Sequence, residues 1–514
     1  MPRLSMVRIP DAPALPVRDP WPGDPSRGAD LLRGMLELGG NAITLRPGGF
    51  ASLTGPSVLR GLGHGFTWLR DLRALGTDAA RMRARALVGE WIAEPTQDRL
   101  AQRPDIVGAR IAAWLGHYDF FAASADDGFR QKLMARLVFD ARTLAASLPP
   151  EELDARAFTA VKGLVAAAVA LPDHVAFLNR ALRVLPQEIA RQILPDGSHC
   201  ERSPAQLMAA LQDLTEIRAL LQAAQVPPPA VLAGAIERMS LALRMLRHQD
   251  GGLVLFNGTK EDNPAMVELV LTHAGRAGRP PSALNEGGFH RLAAKATVLV
   301  MDCGAPAPAK LDRFAHAGTL SFELSIGRDR VIVNCGATPT SSDEWRNACR
   351  TTAAHSTLVI ADTNSSELHT EGMGRRPEMV EVSRQESQGA HWLDAHHDGW
   401  RRGFGAVHRR RLYMSESGED IRGEDVVEAA TPQPYTVRFH LHPTVDAILQ
   451  QDGEAVLLRL PGGSGWRLRA EGARVALEES IYLGGTTPRR AEQVVLTGMQ
   501  DGQQQVKWAL TKLG

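Results

Sequence analysis

The sequence predicts an all-α first part followed by an all-β second part. Three observations carry this. From about residue 66 to 280, Ala- and Leu-rich stretches repeat apolar residues at helical spacing. From about residue 281 the apolar runs shorten, alternate with polar residues and end at Gly-rich turns. Finally, 514 residues exceed one ordinary core, so the two patterns read as separate domains.

Residues 1–65 are rich in Pro and Gly, with Trp21-Pro22-Gly23-Asp24 as a turn cluster, and read as an irregular arm holding one short helix over Arg27 to Leu38. Helices are then expected at 77–93, 104–122, 126–147, 151–171, 174–193, 203–224, 229–247 and 263–276. Their connectors carry breakers: Glu94-Pro95-Thr96, Pro149-Pro150, Leu171-Pro172-Asp173 and Pro227-Pro228-Pro229. Helices joined so tightly make a bundle, a solenoid or a toroid, and no fixed-length repeat favours the solenoid.

In the second part, strands are expected at Thr297–Cys303, two within 318–336 around Gly327-Arg328-Asp329, then Ser356–Ala361, Arg409–Ser415 and Asp425–Ala429. Two hairpin signals follow, Pro461-Gly462-Gly463-Ser464-Gly465 and Gln500-Asp501-Gly502-Gln503, each between strand-like runs. Short strands at this density build an antiparallel sandwich of more than one sheet.

Composition removes several function classes. Lys+Arg and Asp+Glu both number 58, so overall charge attracts neither nucleic acid nor an anionic membrane. No run approaches the length of a bilayer span, and Met1 to Asp30 lacks the apolar core of a secretion signal, so the expected location is cytoplasmic. Cys200, Cys303, Cys335 and Cys349 show neither CxxC pairing nor zinc-finger spacing.

The chemistry concentrates in Pro195-Asp196-Gly197-Ser198-His199-Cys200-Glu201-Arg202-Ser203-Pro204. Ser203 suits an N-cap, Pro204 the first helical position, and Gln206 completes a capping box. His199, Glu201 and Arg202 thus stand at a helix entry, where free N–H groups favour an anion such as a sugar carboxylate. Arg346 and Arg350, one helical turn apart, would aim two guanidinium forks the same way. In Tyr435-Thr436-Val437-Arg438-Phe439-His440-Leu441-His442, period two puts His440 and His442 on one face, a spacing that can hold zinc with Asp398, His408 or Asp425 as third ligand. The run Arg409-Arg410-Arg411 would send alternate arginines to opposite faces of a strand. Trp68, Trp114 and Trp400 are candidates for stacking on sugar rings.

The turn, the segment Arg247-His248-Gln249-Asp250-Gly251-Gly252-Leu253-Val254-Leu255-Phe256-Asn257-Gly258 and the run Ala353-Ala354-His355-Ser356-Thr357-Leu358-Val359-Ile360 resemble, in that order, the heparinase II/III-like polysaccharide lyases. The resemblance implies a helical α/α toroid over 66–280 and a β-sandwich over 281–514, with an acidic polysaccharide or oligosaccharide cleaved by β-elimination between them. It implies that His199 and Glu201 engage the uronate carboxylate, and that His355 is the sandwich histidine. It also implies a tyrosine near Val254 to Asn257, where none stands; the chain's tyrosines are Tyr118, Tyr413, Tyr435 and Tyr482. His248 is therefore the substitute acid or base. Arg202, Asn257, Arg346, Arg350 and Tyr118 are the expected substrate contacts, no cofactor is required, and a structural zinc in the sandwich is allowed. Two rivals stand beside the lyase. One is a toroid glycoside hydrolase needing paired acids, with Asp119 and Asp250 to be tested. The other is a catalytically altered homologue that binds glycans or serves in an assembly.

Overall fold

The computed structural model describes residues 9–514 except 39–40, 46–47, 51–52, 95, 152–153, 173, 262, 277, 338–342, 451–452 and 499–503. The expected hairpin turn at 500–503 lies outside the described residues. The chain forms two compact units, residues 1–192 with 209–236, and residues 193–208 with 237–514. It passes between them within the helices Pro204–Ala223 and Ala230–Met245. This division differs from the boundary expected at 280–281: by contact, the turn 193–208 and the chain from 237 onward go with the sheets.

The first unit is helical, and its helices begin where the sequence supplies caps. Thr77 and Asp126 accept the first free N–H groups of Asp78–Ala93 and Asp127–Ser147. The arm is less irregular than expected. Asp24 accepts from the N–H groups of Ser26 and Arg27, so the helix runs Pro25–Leu32. Gly34, at φ +84°, then turns the chain into the paired strands Met35–Leu38 and Asn41–Thr44. In the core of this unit Trp91 lies between two guanidiniums, Arg110 at 4.2 Å and Arg136 at 4.6 Å, and both arginines bond Asp140. Trp68 and Trp114 are buried in the same core, so neither is a sugar platform.

The second unit contains two antiparallel sheets. One orders its strands Asp446–Leu449, Ala455–Arg459, Gly465–Glu471, Gln505–Lys512, Asp420–Glu428, Ala406–Met414, Ala390–Trp400, Val380–Ser387. The other runs Ala473–Tyr482, Arg489–Gly498, Tyr435–Leu441, Asp329–Val333, Phe322–Ile326, Thr297–Asp302, Phe289–Ala294, Ala283–Leu284, with Leu358–Ile360 also paired to Tyr435–Leu441. Alternate residues from both sheets fill one core, as period two requires. Trp508 stacks on Phe322 at 5.8 Å and meets Phe439 edge-on at 4.9 Å. Trp400 is buried here too, which removes it as a sugar contact.

Candidate functional site

The turn ahead of Pro204 is held as a small bridge. Ile193 pairs with His199, and Leu194 N–H donates to Ser198 O at 2.9 Å. Gly197, at φ +87°, is required because a Cβ there would stand 2.2 Å from the Arg238 carbonyl. One Asp196 oxygen accepts Ser198 N–H, and the other accepts Glu286 and Gly287 N–H. This brings His199 Nδ1 to 3.6 Å from the Glu201 carboxylate, with both residues buried. At the helix start Ala205 N–H donates to Thr259 Oγ1 at 3.1 Å, from a segment remote in sequence, and Ser203 Oγ lies 3.4 Å from the same hydroxyl.

Arg202 is not open to substrate. Its fork donates to Gly287 O at 2.7 Å, to Ala305 O at 2.6 Å and to Asp302, and it lies 4.9 Å over the Phe289 ring. Asn257 is equally committed, since Nδ2 donates to Arg202 O at 2.9 Å and Oδ1 accepts His316 N–H at 3.1 Å. These bonds link the 193–203 turn to His316, whose Nδ1 is 3.0 Å from His355 Nε2. His355 Nδ1 faces the Thr351 carbonyl at 2.7 Å, so that nitrogen carries the proton. Its Nε2 then accepts from His316 Nδ1–H. Burial pushes the His355 ring down to about 4, and drives His316 well below the usual imidazole range. Gly318 leaves the ring its space, as a Cβ would stand 2.6 Å from His355 Cδ2.

His248 meets Glu323 at 2.9 Å through Nε2, with both side chains fully buried. Burial first, and then the Arg330 charge, lower the basicity of His248. Glu323 also accepts Leu255 N–H at 2.9 Å and Asn334 N–H at 2.8 Å. Asn334 Oδ1 in turn accepts Ser356 N–H at 3.0 Å. His316, Glu323 and Asn334 were not among the residues the sequence singled out, because around Phe322 and Leu324 it shows only polar residues alternating with apolar ones. Both faces of that strand are covered.

The remaining expected contacts are likewise engaged within the protein. Arg346 donates to Thr370 O and Arg313 O, and Arg350 donates to the carbonyls of Ala315, His369 and Gly372. Both forks thus tie loops together. Tyr118 is buried in the helical unit, and burial raises its hydroxyl above the ordinary range. His440 and His442 do not pair around a metal. His440 has Nδ1 at 2.8 Å from Ser480 Oγ and Nε2 at 2.9 Å from Ala353 O, while His442 has Nδ1 at 2.7 Å from Thr444 Oγ1 and Nε2 at 3.0 Å from Glu261. Asp398 accepts Glu378 and Met379 N–H, and His408 and Asp425 bond each other at 2.8 Å inside the sandwich. Among the described residues no three His, Cys, Asp or Glu side chains converge as a metal site, so this donor set does not fit a structural zinc.

Residues 276–509 match the family model described as heparinase II/III-like, C-terminal. The chain is 31% identical over 542 residues to FtsZ-localized protein C of Caulobacter vibrioides, covering 99% of this chain and 92% of that protein. This chain belongs to the heparinase II/III-like family. In fold, the chain is similar to heparinase III, with TM-score 0.74 at 13% identity over 89% of this chain and 78% of that one. It is also similar to a mutant of heparan sulfate lyase HepC from Pedobacter heparinus, with TM-score 0.65 at 15% identity over 95% and 82%. Among the described residues no helix is long and apolar enough to cross a membrane.

Proposed function

We propose that this member of the family works as a binding or assembly protein associated with FtsZ, on a lyase fold whose acid–base groups have become interior structure. The observation that carries this is the state of His355. One ring nitrogen is spent on a backbone carbonyl and the other on His316, and the ring is too weakly basic to hold a proton at neutral pH. A base for uronate C5 needs a lone pair directed at substrate. His248 is no better placed against buried Glu323, and the arginines that would neutralise a carboxylate already hold carbonyls or Asp302. The name of the 31% identical relative supports the choice of partner.

Elimination remains the second reading, favoured by the buried His199–Glu201 contact at 3.6 Å beside a helix start. The hydrolase reading loses its acid: although burial raises Asp250, the Arg330 fork outweighs it and keeps the carboxyl ionised. The test incubates the full chain with heparan sulfate, chondroitin sulfate and alginate, reads absorbance from a new C4–C5 double bond, and follows a fluorescent fusion beside labelled FtsZ. The expected outcome is no absorbing product, with the fusion at FtsZ in both the parent and the His355→Ala variant. An absorbing product that disappears in His355→Ala would overturn the proposal and restore the lyase.

A further inference from the structure

The outer face of the eight-stranded sheet carries an aromatic row that the lyase and assembly readings both leave unused. Antiparallel register sets Gln385 opposite Trp392, Trp392 opposite Tyr413, and Tyr413 opposite Arg422. The flanking residues Leu393, Leu412 and Ile421 point into the core, so period two sends this row outward. Trp392 is 39% exposed. Its ring lies 5.3 Å from that of Tyr413 at 48°, and the Arg422 guanidinium sits 6.0 Å from the Tyr413 ring.

A cross-strand pair of this kind steadies a sheet by roughly 0.2–1 kcal/mol, which gives the rings a packing role but leaves the exposed indole face unexplained. The surroundings narrow what would cover it. Three arginines beside the row are already matched by acids: Arg422 by Asp420 at 2.7 Å, Arg411 by Glu424 and Asp394, and Arg409 by Asp394 at 2.6 Å. With charge balanced in place, an anionic polymer gains little there. What the row offers is apolar ring surface edged by uncharged or neutralised hydrogen-bonding groups: the Gln385 amide, the Tyr413 hydroxyl and the paired Arg422 fork. A pyranose presents the complement, an apolar C–H face ringed by hydroxyls. Strands are spaced by about 4.8 Å, so Trp392 to Arg422 spans roughly 10 Å, the length of about two sugar rings.

We propose that the Gln385–Trp392–Tyr413–Arg422 row is a stacking site for an uncharged glycan of about two pyranose units. The site lies outside the hydrogen-bonded histidine interior, and it stands whether or not the chain joins FtsZ. The test titrates the full chain calorimetrically with cellohexaose, maltohexaose and chitohexaose, and with a heparan sulfate hexasaccharide for comparison. Saturable binding of at least one neutral hexaose is expected at a Kd of about 1 mM or tighter, unchanged by added salt. Trp392→Ala should weaken it by roughly tenfold or more and Trp392→Phe by less, on proteins whose unfolding midpoint stays close to the parent's. Trp345→Ala, which removes an exposed indole from a different element, should leave binding unchanged. The proposal is overturned if no neutral hexaose binds at about 10 mM, if Trp392→Ala binds as well as the parent, or if only the heparan sulfate fragment binds in a salt-sensitive way.

Discussion

Arg409, Arg410 and Arg411 are consecutive on one strand and live in two different environments. Arg410 points inward, has no exposed side-chain surface, and bonds both oxygens of Asp425 together with Leu320 O and Ser356 O. Arg409 and Arg411 point outward and share Asp394 under water. The same residue type therefore specifies the interior on one face and only decorates the other. The interior pair is costly to break because its partner would be left charged and dry, whereas water replaces an exterior partner. The histidines divide similarly: those expected to do chemistry lie inside, where burial strips their basicity, and the free aromatic surface lies outside.

The contrast is broken most directly at Asp425. Asp425→Ala leaves Arg410, His408 and Trp508 Nε1 without their common acceptor and should cost about 3–5 kcal/mol in denaturant unfolding. A loss below about 1 kcal/mol would erase the distinction between the faces. Glu323→Gln keeps the shape but exchanges an acceptor oxygen for a donor amide facing His248, Leu255 N–H or Asn334 N–H, and should cost about 1–3 kcal/mol in the same assay.

The third prediction concerns pH. Burial holds His290 and His355 near 4 and His440 near 3, all below the unfolded value of about 6.5. Between about 6.5 and 4 the unfolded chain therefore binds more protons than the folded one. Stability should fall as pH drops through that window, by up to about 1.4 kcal/mol per unit for each such ring. Carboxylates such as Glu261, held near 2 because His442, Tyr482 and Arg330 outweigh the effect of burial, steepen the fall only below about 4.5. Unfolding midpoints across pH 4 to 7 check this, and His290→Gln should flatten the slope; a parent midpoint constant over the window would contradict it. The smallest effect is expected at the exterior: Arg411→Ala should change stability by less than about 0.5 kcal/mol, and still less at high salt.

Most helices from residue 77 onward were legible to within about two residues because caps, prolines and apolar period agree locally, but the one expected at 151 starts at Arg156 and the one expected at 104–122 is broken into Pro104–Gly116 and Tyr118–Phe121. The strand Tyr435–Leu441 was legible for the same reason, with Tyr435, Val437, Phe439 and Leu441 all inward. The strands Phe289–Ala294, Val380–Ser387, Ala390–Trp400 and Ala473–Tyr482 were not. Polar residues such as His290, His391 and Glu479 interrupt their apolar alternation, and long-range pairing alone fixes them. At the site, the sequence singled out the 193–203 turn and His355, and a hydrogen-bond network links the two. Their partners were not, because Asp302, His316 and Glu323 reach them across tens of residues of chain that no spacing rule connects.

One consequence follows from the way residues 193–208 and 237–280 fold with the sheets rather than with the helices that precede them. A fragment starting at 281 would strip Arg202 from Asp302, and His248 and the Leu255 amide from Glu323, leaving two carboxylates stranded in the dark of the sandwich. A fragment that keeps the whole sheet-bearing unit has to begin by residue 193, and it carries residues 209–236 with it.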